Sequence, residues 1–156
     1  MGLVESMFKE KGVKPYLLHR LDKETSGFIL FGKFPRDREV LEPILQAEGT
    51  RKKYLALVIG QPHGKVITKK LSARSGEVKV EAQTLYKVVR VFRGKVPLCT
   101  LIEAQIETGR KHQIRQHFAS IGHPIILDNR YGDQAFNRKF RIHYRLGRQF
   151  LHSFSL

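Results

Sequence analysis

Residues 97–107 constrain the fold more than any other stretch. Leu98, Thr100, Ile102, Ala104 and Ile106 recur at every second position, with Glu103, Gln105 and Glu107 on the alternate ones. Only an extended chain puts such a set on one side, so the segment reads as a strand with one face in a core and the other in water. A strand that is polar on one face suits an antiparallel sheet better than a parallel one buried on both.

Other segments extend the sheet. Phe28-Ile29-Leu30-Phe31 follows Ser26-Gly27 and is bounded by glycines, which predicts a short buried strand. Residues 54–59, closed by Gly60-Gln61-Pro62, read as a strand, as do residues 85–92 and 150–154. Residues 63–82 read as loop and hairpin, turning at Gly64 and Gly76. Two helices are predicted. Residues 35–48 place Val40, Leu41, Ile44 and Leu45 on one face, with Asp37 and Glu39 early and Pro43 inside. The second lies between Thr108 as N-cap and Gly122 as the stop, with Ile114, Phe118 and Ile121 facing the core. Residues 1–18 are weakly patterned. After Asp133 there is no acid, and Arg138, Lys139, Arg141, Arg145 and Arg148 make the stretch strongly basic. Strands outnumber helices at hairpin-like spacing, so the expected class is α+β, a largely antiparallel (mixed) sheet with few flanking helices, in one domain over residues 1–156.

Composition narrows the function. At 41% hydrophobic the chain has material for a core, which excludes disorder by lack of apolar residues. Its single cysteine, Cys99, excludes an internal disulfide and a multi-cysteine zinc site. No apolar run approaches the ~18 residues of a membrane span, and charges from Glu5 onward break any signal-peptide layout. A cytoplasmic protein without a membrane partner is expected. Lys and Arg number 29 against 14 Asp and Glu, a net charge of +15. The cations are interleaved with the apolar residues of strands and helices, which predicts a folded basic surface for a polyanion. No helix-turn-helix, zinc-finger or basic-zipper pattern supports a DNA-binding domain.

Two basic segments break local rules. In His19-Arg20-Leu21-Asp22-Lys23-Glu24-Thr25-Ser26-Gly27 a lone Asp sits between cations, directly before an apolar run. In Thr108-Gly109-Arg110-Lys111-His112-Gln113-Ile114-Arg115 three basic residues crowd the start of a predicted helix, where the dipole disfavours cations by about 0.3–1 kcal/mol each. A phosphate or a carboxylate must compensate. His112 and His117 lie about 140° apart around a helix, so with His123 they do not make the spaced pair of a zinc helix, and no metal is expected.

These segments resemble a known family. His19-Arg20-Leu21-Asp22 with Thr25-Ser26-Gly27 is similar to the signature loop of the RluA-type pseudouridine synthases. Lys53-Tyr54 followed by Gly60 resembles that family's tyrosine motif. Residues 108–115, with Gly122-His123-Pro124-Ile125, Asp128 and Tyr131-Gly132, resemble its third motif. The family's Gly-Asp reads Leu127-Asp128 here. The resemblance implies a pseudouridine-synthase-like catalytic fold that isomerises uridine to pseudouridine in RNA, ribosomal or transfer, as a monomer with no cofactor. It implies Asp22 as nucleophile, Arg115 as its ion-pair partner and Tyr54 packed on the target base. Arg20 would fill the space left by a flipped base; Lys23, Arg110, Lys111 and His112 would contact RNA; Ile114 would line the base pocket. A noncatalytic RNA-binding or assembly module on the same fold is the alternative, and Asp22 discriminates, because a binder of phosphates has no use for a carboxylate among its cations. No S4-type domain is recognisable. The strand that precedes the loop in the family is absent, so a catalytic core cut short at one or both ends, with an open or partner-covered sheet edge near its start, is expected.

Overall fold

The alternation in residues 97–107 becomes a central strand. The computed structural model describes residues 2–9, 12–47, 49–72, 78–94 and 97–156. Among them the elements run α1 (Gly2–Lys9), β1 (Tyr16–Leu17), β2 (Ser26–Gly27), β3 (Phe31–Gly32), α2 (Pro35–Gln46), β4 (Lys52–Ile59), β5 (Val66–Ser72), β6 (Lys79–Phe92), β7 (Cys99–Ile106), α3 (Gln113–Ser120), α4 (Gln134–Tyr144) and β8 (Leu151–Ser155). The main sheet has the order β2-β8-β4-β7-β6-β5, and β1 pairs with β3 apart from it. Every pairing in the main sheet is antiparallel except β2 with β8. The class is therefore the expected α+β with a mixed, mostly antiparallel sheet.

Each face of the sheet has its own cover. Ala56 and Val58 of β4, Ile102 and Ala104 of β7 and Tyr86 of β6 form one buried cluster with Ile114 and Phe118 of α3. Tyr86 meets the Phe118 ring edge-on at 5.2 Å. On the opposite face Leu57 and Cys99 pack with Ile126, Leu127 and the α4 residues Phe136 and Phe140. Residues 124–126 cross beside the end of β4, where Ile59 N–H donates to Pro124 O at 3.0 Å and Ile126 N–H to Leu57 O at 2.9 Å. That crossing delivers the following turn, with Asp128, to the end of the sheet. No helix among the described residues is long and apolar enough to cross a membrane.

Several expectations are corrected. Residues 28–30 are not a buried strand. The pairing residues lie on either side of them, in β2 and β3, and Phe28, Ile29 and Leu30 are exposed at the crossing between. The second helix begins at Gln113 rather than after Thr108, because the Thr108 hydroxyl donates to the Gln113 side chain instead of capping. Arg110 and Lys111 thus precede the helix and escape its dipole. Ile121 lies beyond its last turn and is exposed, while Ile114 and Phe118 are buried. In α2 no residue is fully buried, and Val40 and Ile44 face outward. The weakly patterned start is helical, and the basic stretch after Asp133 is α4, whose N-cap is Asp133 itself. Glu48 and Gly76 lie outside the described residues. As for the edges, β2 is open on one side but two residues long, and β5 at the far edge carries Lys69 and Lys70, so each is blunted.

Candidate active site

Arg115, third residue of α3, brings the two ends of the site together. Its Nη1 donates to Asp22 Oδ2 at 2.9 Å. Its Nε and Nη2 donate to Asp128 Oδ2 and Oδ1 at 2.7 and 2.9 Å, a two-pronged pair. Asp128 has no exposed surface, and its Oδ1 also accepts from the backbone N–H groups of Arg130 and Tyr131 at 2.8 and 3.0 Å. Burial pushes the Asp128 carboxyl up, but Arg115 and these two N–H groups outweigh it and hold it below the usual carboxylate range. Burial alone would lower Arg115; its bonds to the two carboxylates drive it up instead. Within the basic segment the two carboxylates compensate Arg115, while Arg110 and Lys111 lie ahead of the helix.

The loop carrying Asp22 is tied down along its length. Thr25 N–H donates to Asp22 O at 2.9 Å, closing a turn around the carboxylate. Gln149 Nε2 donates to the Thr25 hydroxyl at 2.9 Å, and Asn129 Nδ2 to Glu24 Oε1 at 3.0 Å. At the end of the loop Gly27 adopts a φ of +118° and abuts Ser153, so a Cβ there would run into the Ser153 carbonyl oxygen. The Asp22 side chain keeps 27% of its surface exposed. Asp22 also lines a cavity of about 490 Å³, together with Arg20, Lys23 and Thr25. A larger cavity of about 800 Å³ lies against Leu55, Leu57, Leu101 and Phe140 on the opposite sheet face; it reaches Ser26 and Gln149 beside the loop but not Asp22, Arg115 or Asp128.

Tyr54 reaches the same site from β4. The β4–β8 register shifts between Lys53 and Tyr54, a local irregularity of the kind that re-aims a side chain. Burial raises the Tyr54 hydroxyl above its ordinary value; a bond with Ser153 opposes this and the nearby Asp22 charge adds to it. The phenol therefore holds its proton at neutral pH.

The remaining predicted residues fall into three places. Arg20, Lys23 and Lys111 are exposed near the cavity or beside α3. Arg110 is half-buried, and among the described residues its Nε has no hydrogen-bond partner. Ile114 sits in the core cluster against which Tyr54 packs. His112, expected at the RNA surface, has its ring between Asp22 and Tyr131. His117 bonds the Thr84 hydroxyl and His123 the Ile59 carbonyl, so the three histidines have separate partners. The sequence reading gave no role to Tyr131, Gln113 or Ser153. Only the Tyr-Gly pair after Asp128 signals Tyr131. Gln113 donates to Gln83 O at 2.8 Å and accepts from Thr108, pinning the start of α3.

A family model described as RNA pseudouridylate synthase matches residues 4–120. The chain is 43% identical over 148 residues to a ribosomal large subunit pseudouridine synthase C of Haemophilus ducreyi, covering 90% of this chain and 46% of that protein. It is 39% identical over 153 residues to the protein of that name from Escherichia coli K12, covering 90% and 47%. The chain thus spans about half the length of the curated relatives it matches. Among solved structures, human RNA Pseudouridylate Synthase Domain Containing 1 superposes with a TM-score of 0.80 at 20% identity, over 97% of this chain and 66% of that one. Human RNA Pseudouridylate Synthase Domain Containing 4 gives 0.74 at 22% identity, over 97% and 69%. These two likenesses concern the fold.

Proposed function

The chain belongs to the RNA pseudouridylate synthase family, and from that membership we propose that it isomerises uridine to pseudouridine in RNA, with Asp22 as the nucleophile. The observation that carries this reading is the Asp22 carboxylate itself: held at 2.9 Å by Arg115, yet 27% exposed beside a cavity rimmed by cations. The reaction breaks the bond from uracil N1 to ribose C1′ and forms one from C5 to C1′. The proton leaves C5 and N1 gains one, so nothing is added or lost.

Each side chain has a part. Asp22 supplies the electron pair, and Arg115 fixes the carboxylate by one oxygen. The Tyr54 ring packs on the uracil, and its protonated hydroxyl stands ready to hold or pass a proton. A stacked base is out of reach of any such site, so the target uridine is flipped out, and the Arg20 guanidinium stacks in the space it leaves. Lys23, Arg110 and Lys111 contact phosphates. Ribosomal RNA is the proposed substrate class, supported by the names of the relatives.

The test is tritium release from RNA labelled at uridine C5, comparing ribosomal with transfer RNA. Release from ribosomal RNA is expected. Tight RNA binding with no release from either would favour the noncatalytic module. Tyr54→Phe isolates the hydroxyl and is expected to slow release with little change in binding, because the ring provides the contact area. Affinity is expected to fall with salt, with a slope of about −0.7 to −0.9 per phosphate neutralised; a flat response would remove the basic surface as the RNA platform.

A further inference from the structure

Two arms join Asp128 to Asp22, and Arg115 is only one of them. The second runs through aromatic rings. Tyr131 N–H donates to Asp128 Oδ1 at 3.0 Å. The Tyr131 hydroxyl lies 3.0 Å from His112 Nδ1, and the two rings meet edge-on at 5.6 Å. His112 Nε2 then faces Asp22 Oδ1 at 3.6 Å, while Arg115 takes Oδ2. The Tyr131 ring is braced by two guanidiniums, with Arg115 Cζ at 5.2 Å and Arg130 Cζ at 5.4 Å from its centre.

The backbone at His112 points the same way. It has a φ of +53°, a left-handed conformation seldom taken by residues other than glycine. It occupies the N-cap of α3 but makes no capping bond with its side chain. The His112 carbonyl accepts the first bond of the helix, from Gln116 N–H at 2.9 Å, while the left-handed backbone leaves the imidazole between Tyr131 and Asp22. Strained backbone that serves a side chain's placement clusters at functional sites.

Resting on the isomerase reading above, we propose that His112, its tautomer set by Tyr131, is a positioning residue that holds the second oxygen of Asp22 so that the carboxylate meets the uracil in one orientation. The tautomer follows from the neighbours. With the proton on Nδ1, the Nε2 lone pair would face a carboxylate oxygen and repel it. With the proton on Nε2, that N–H faces Oδ1 and the Tyr131 hydroxyl donates to Nδ1. The 3.6 Å gap is longer than a hydrogen bond and is of the kind that closes when substrate completes a site.

The arrangement also titrates. The charged and titratable groups facing His112 are Asp22 from the loop, Arg115 from α3, Tyr131 and Arg130 from the turn after Asp128, and Lys111 beside it. Burial lowers His112 from its ordinary value of 6.5; Asp22 opposes this, and Arg115, Arg130 and Lys111 add to the lowering. The balance favours the neutral ring. Once protonated in acid it grips Asp22 as a cation and competes with the base for its electrons.

The experiment has two arms on the 156-residue chain. The first needs no activity. Nitrogen-15 spectra of the imidazole are expected to show the Nε2–H tautomer in the wild type and a mixture in Tyr131→Phe. The His112 titration is expected to move to lower pH in Asp22→Asn, because the charge that opposes the lowering is gone. A dominant Nδ1–H form, or a titration that ignores Asp22, overturns the proposal. The second arm is tritium release. His112→Ala is expected to lower kcat about tenfold, the effect of one lost hydrogen bond, with KM for RNA nearly constant. His112→Gln is expected to recover part of that loss, since its amide N–H reaches the position of Nε2, and to lack the fall in kcat at acid pH. Equal kcat in wild type and His112→Ala overturns the proposal. Should the wild type release no tritium from any RNA while the spectra behave as expected, the isomerase reading falls and the Asp22–His112–Tyr131 arrangement stands.

Discussion

Asp22 and Asp128 share one guanidinium and differ in almost everything else. Asp128 is fully buried, grips Arg115 with both oxygens and accepts two backbone N–H groups on Oδ1. Asp22 accepts one bond from Arg115, faces His112 at 3.6 Å and keeps 27% of its surface exposed. A carboxylate whose lone pairs are occupied on all sides is a structural anchor. One that keeps part of its surface open beside a cavity is available for chemistry. Asp128 holds Arg115 by two of its three side-chain bonds, so the guanidinium keeps its place whether or not Asp22 is there to accept the third.

The comparison breaks most sharply at Asp22. Asp22→Asn keeps the shape and removes the anion, so tritium release is expected to fall at least about a thousandfold. Arg115 is buried but keeps its two bonds to Asp128, and the Asn carbonyl can still accept, so the loss is about 0.5–1.5 kcal/mol and the melting temperature should move by no more than about 6 °C. Asp128→Asn is the mirror experiment. It leaves Arg115 buried with half its partners, which costs about 3–5 kcal/mol, a fall of about 6–20 °C in melting temperature. A protein that melts normally without Asp128, or unfolds without Asp22, reverses the two roles.

The same contrast separates what was legible in the sequence from what was not. The β7 alternation could be read because one face of that strand is buried and the other is polar, a pattern that belongs to extended chain alone. Asp22, Tyr54 and Arg115 could be placed together because the segments that carry them resemble three motifs of one family, even though 93 positions separate Asp22 from Arg115. Asp128 gave no local signal of being the anchor, because its partners are a side chain from another element and N–H groups that any residue supplies. The left-handed turn at His112 was invisible for a related reason: it lies in a segment where Thr108 bonds the Gln113 side chain rather than capping, and no local residue pattern marks that. Helix α4 was hidden by its charge. Phe136 and Phe140 are four apart and stack at 5.9 Å, but Arg138, Lys139 and Arg141 between and beside them make the stretch look only strongly basic. Asp133, whose carboxylate accepts from Phe136 N–H at 2.9 Å, is a local signal of the helix in the sequence, an N-cap residue three positions before the first phenylalanine.

Acid sharpens the comparison on the structural side. The Asp128 carboxyl is held below its ordinary value of 3.8. A depressed native value adds stability that is complete above the unfolded value and is lost as pH falls through the native one. The wild type should therefore lose stability below about pH 3.8, and Asp128→Asn should lose less over the same range, because that contribution is already gone. Urea midpoints measured from pH 5 down to pH 2 would show the two curves converging; parallel curves would mean that Asp128 is not the group responsible.

The smallest effect concerns the turn that delivers Asp128. Leu127 has a φ of +63°, where an L side chain is strained, yet it is fully buried among Leu57, Phe136 and Phe140. Its N–H donates to Asn137 Oδ1 at 2.7 Å, which holds the strained backbone in place. Two terms oppose each other in any substitution. Removing the buried side chain costs about 3–5 kcal/mol. Relieving the left-handed strain, which only glycine does, returns about 1–2 kcal/mol. The burial term is the larger, so Leu127→Gly is expected to destabilise the protein by about 2 kcal/mol. Leu127→Ala removes nearly the same contacts and keeps the strain. It should therefore be worse than Leu127→Gly by about 1 kcal/mol, the reverse of the usual order, in which glycine is the more disruptive. Urea unfolding of the two variants decides this. An alanine variant more stable than the glycine one would mean that the turn relaxes without its leucine, and that packing against α4, rather than the turn itself, sets where Asp128 sits.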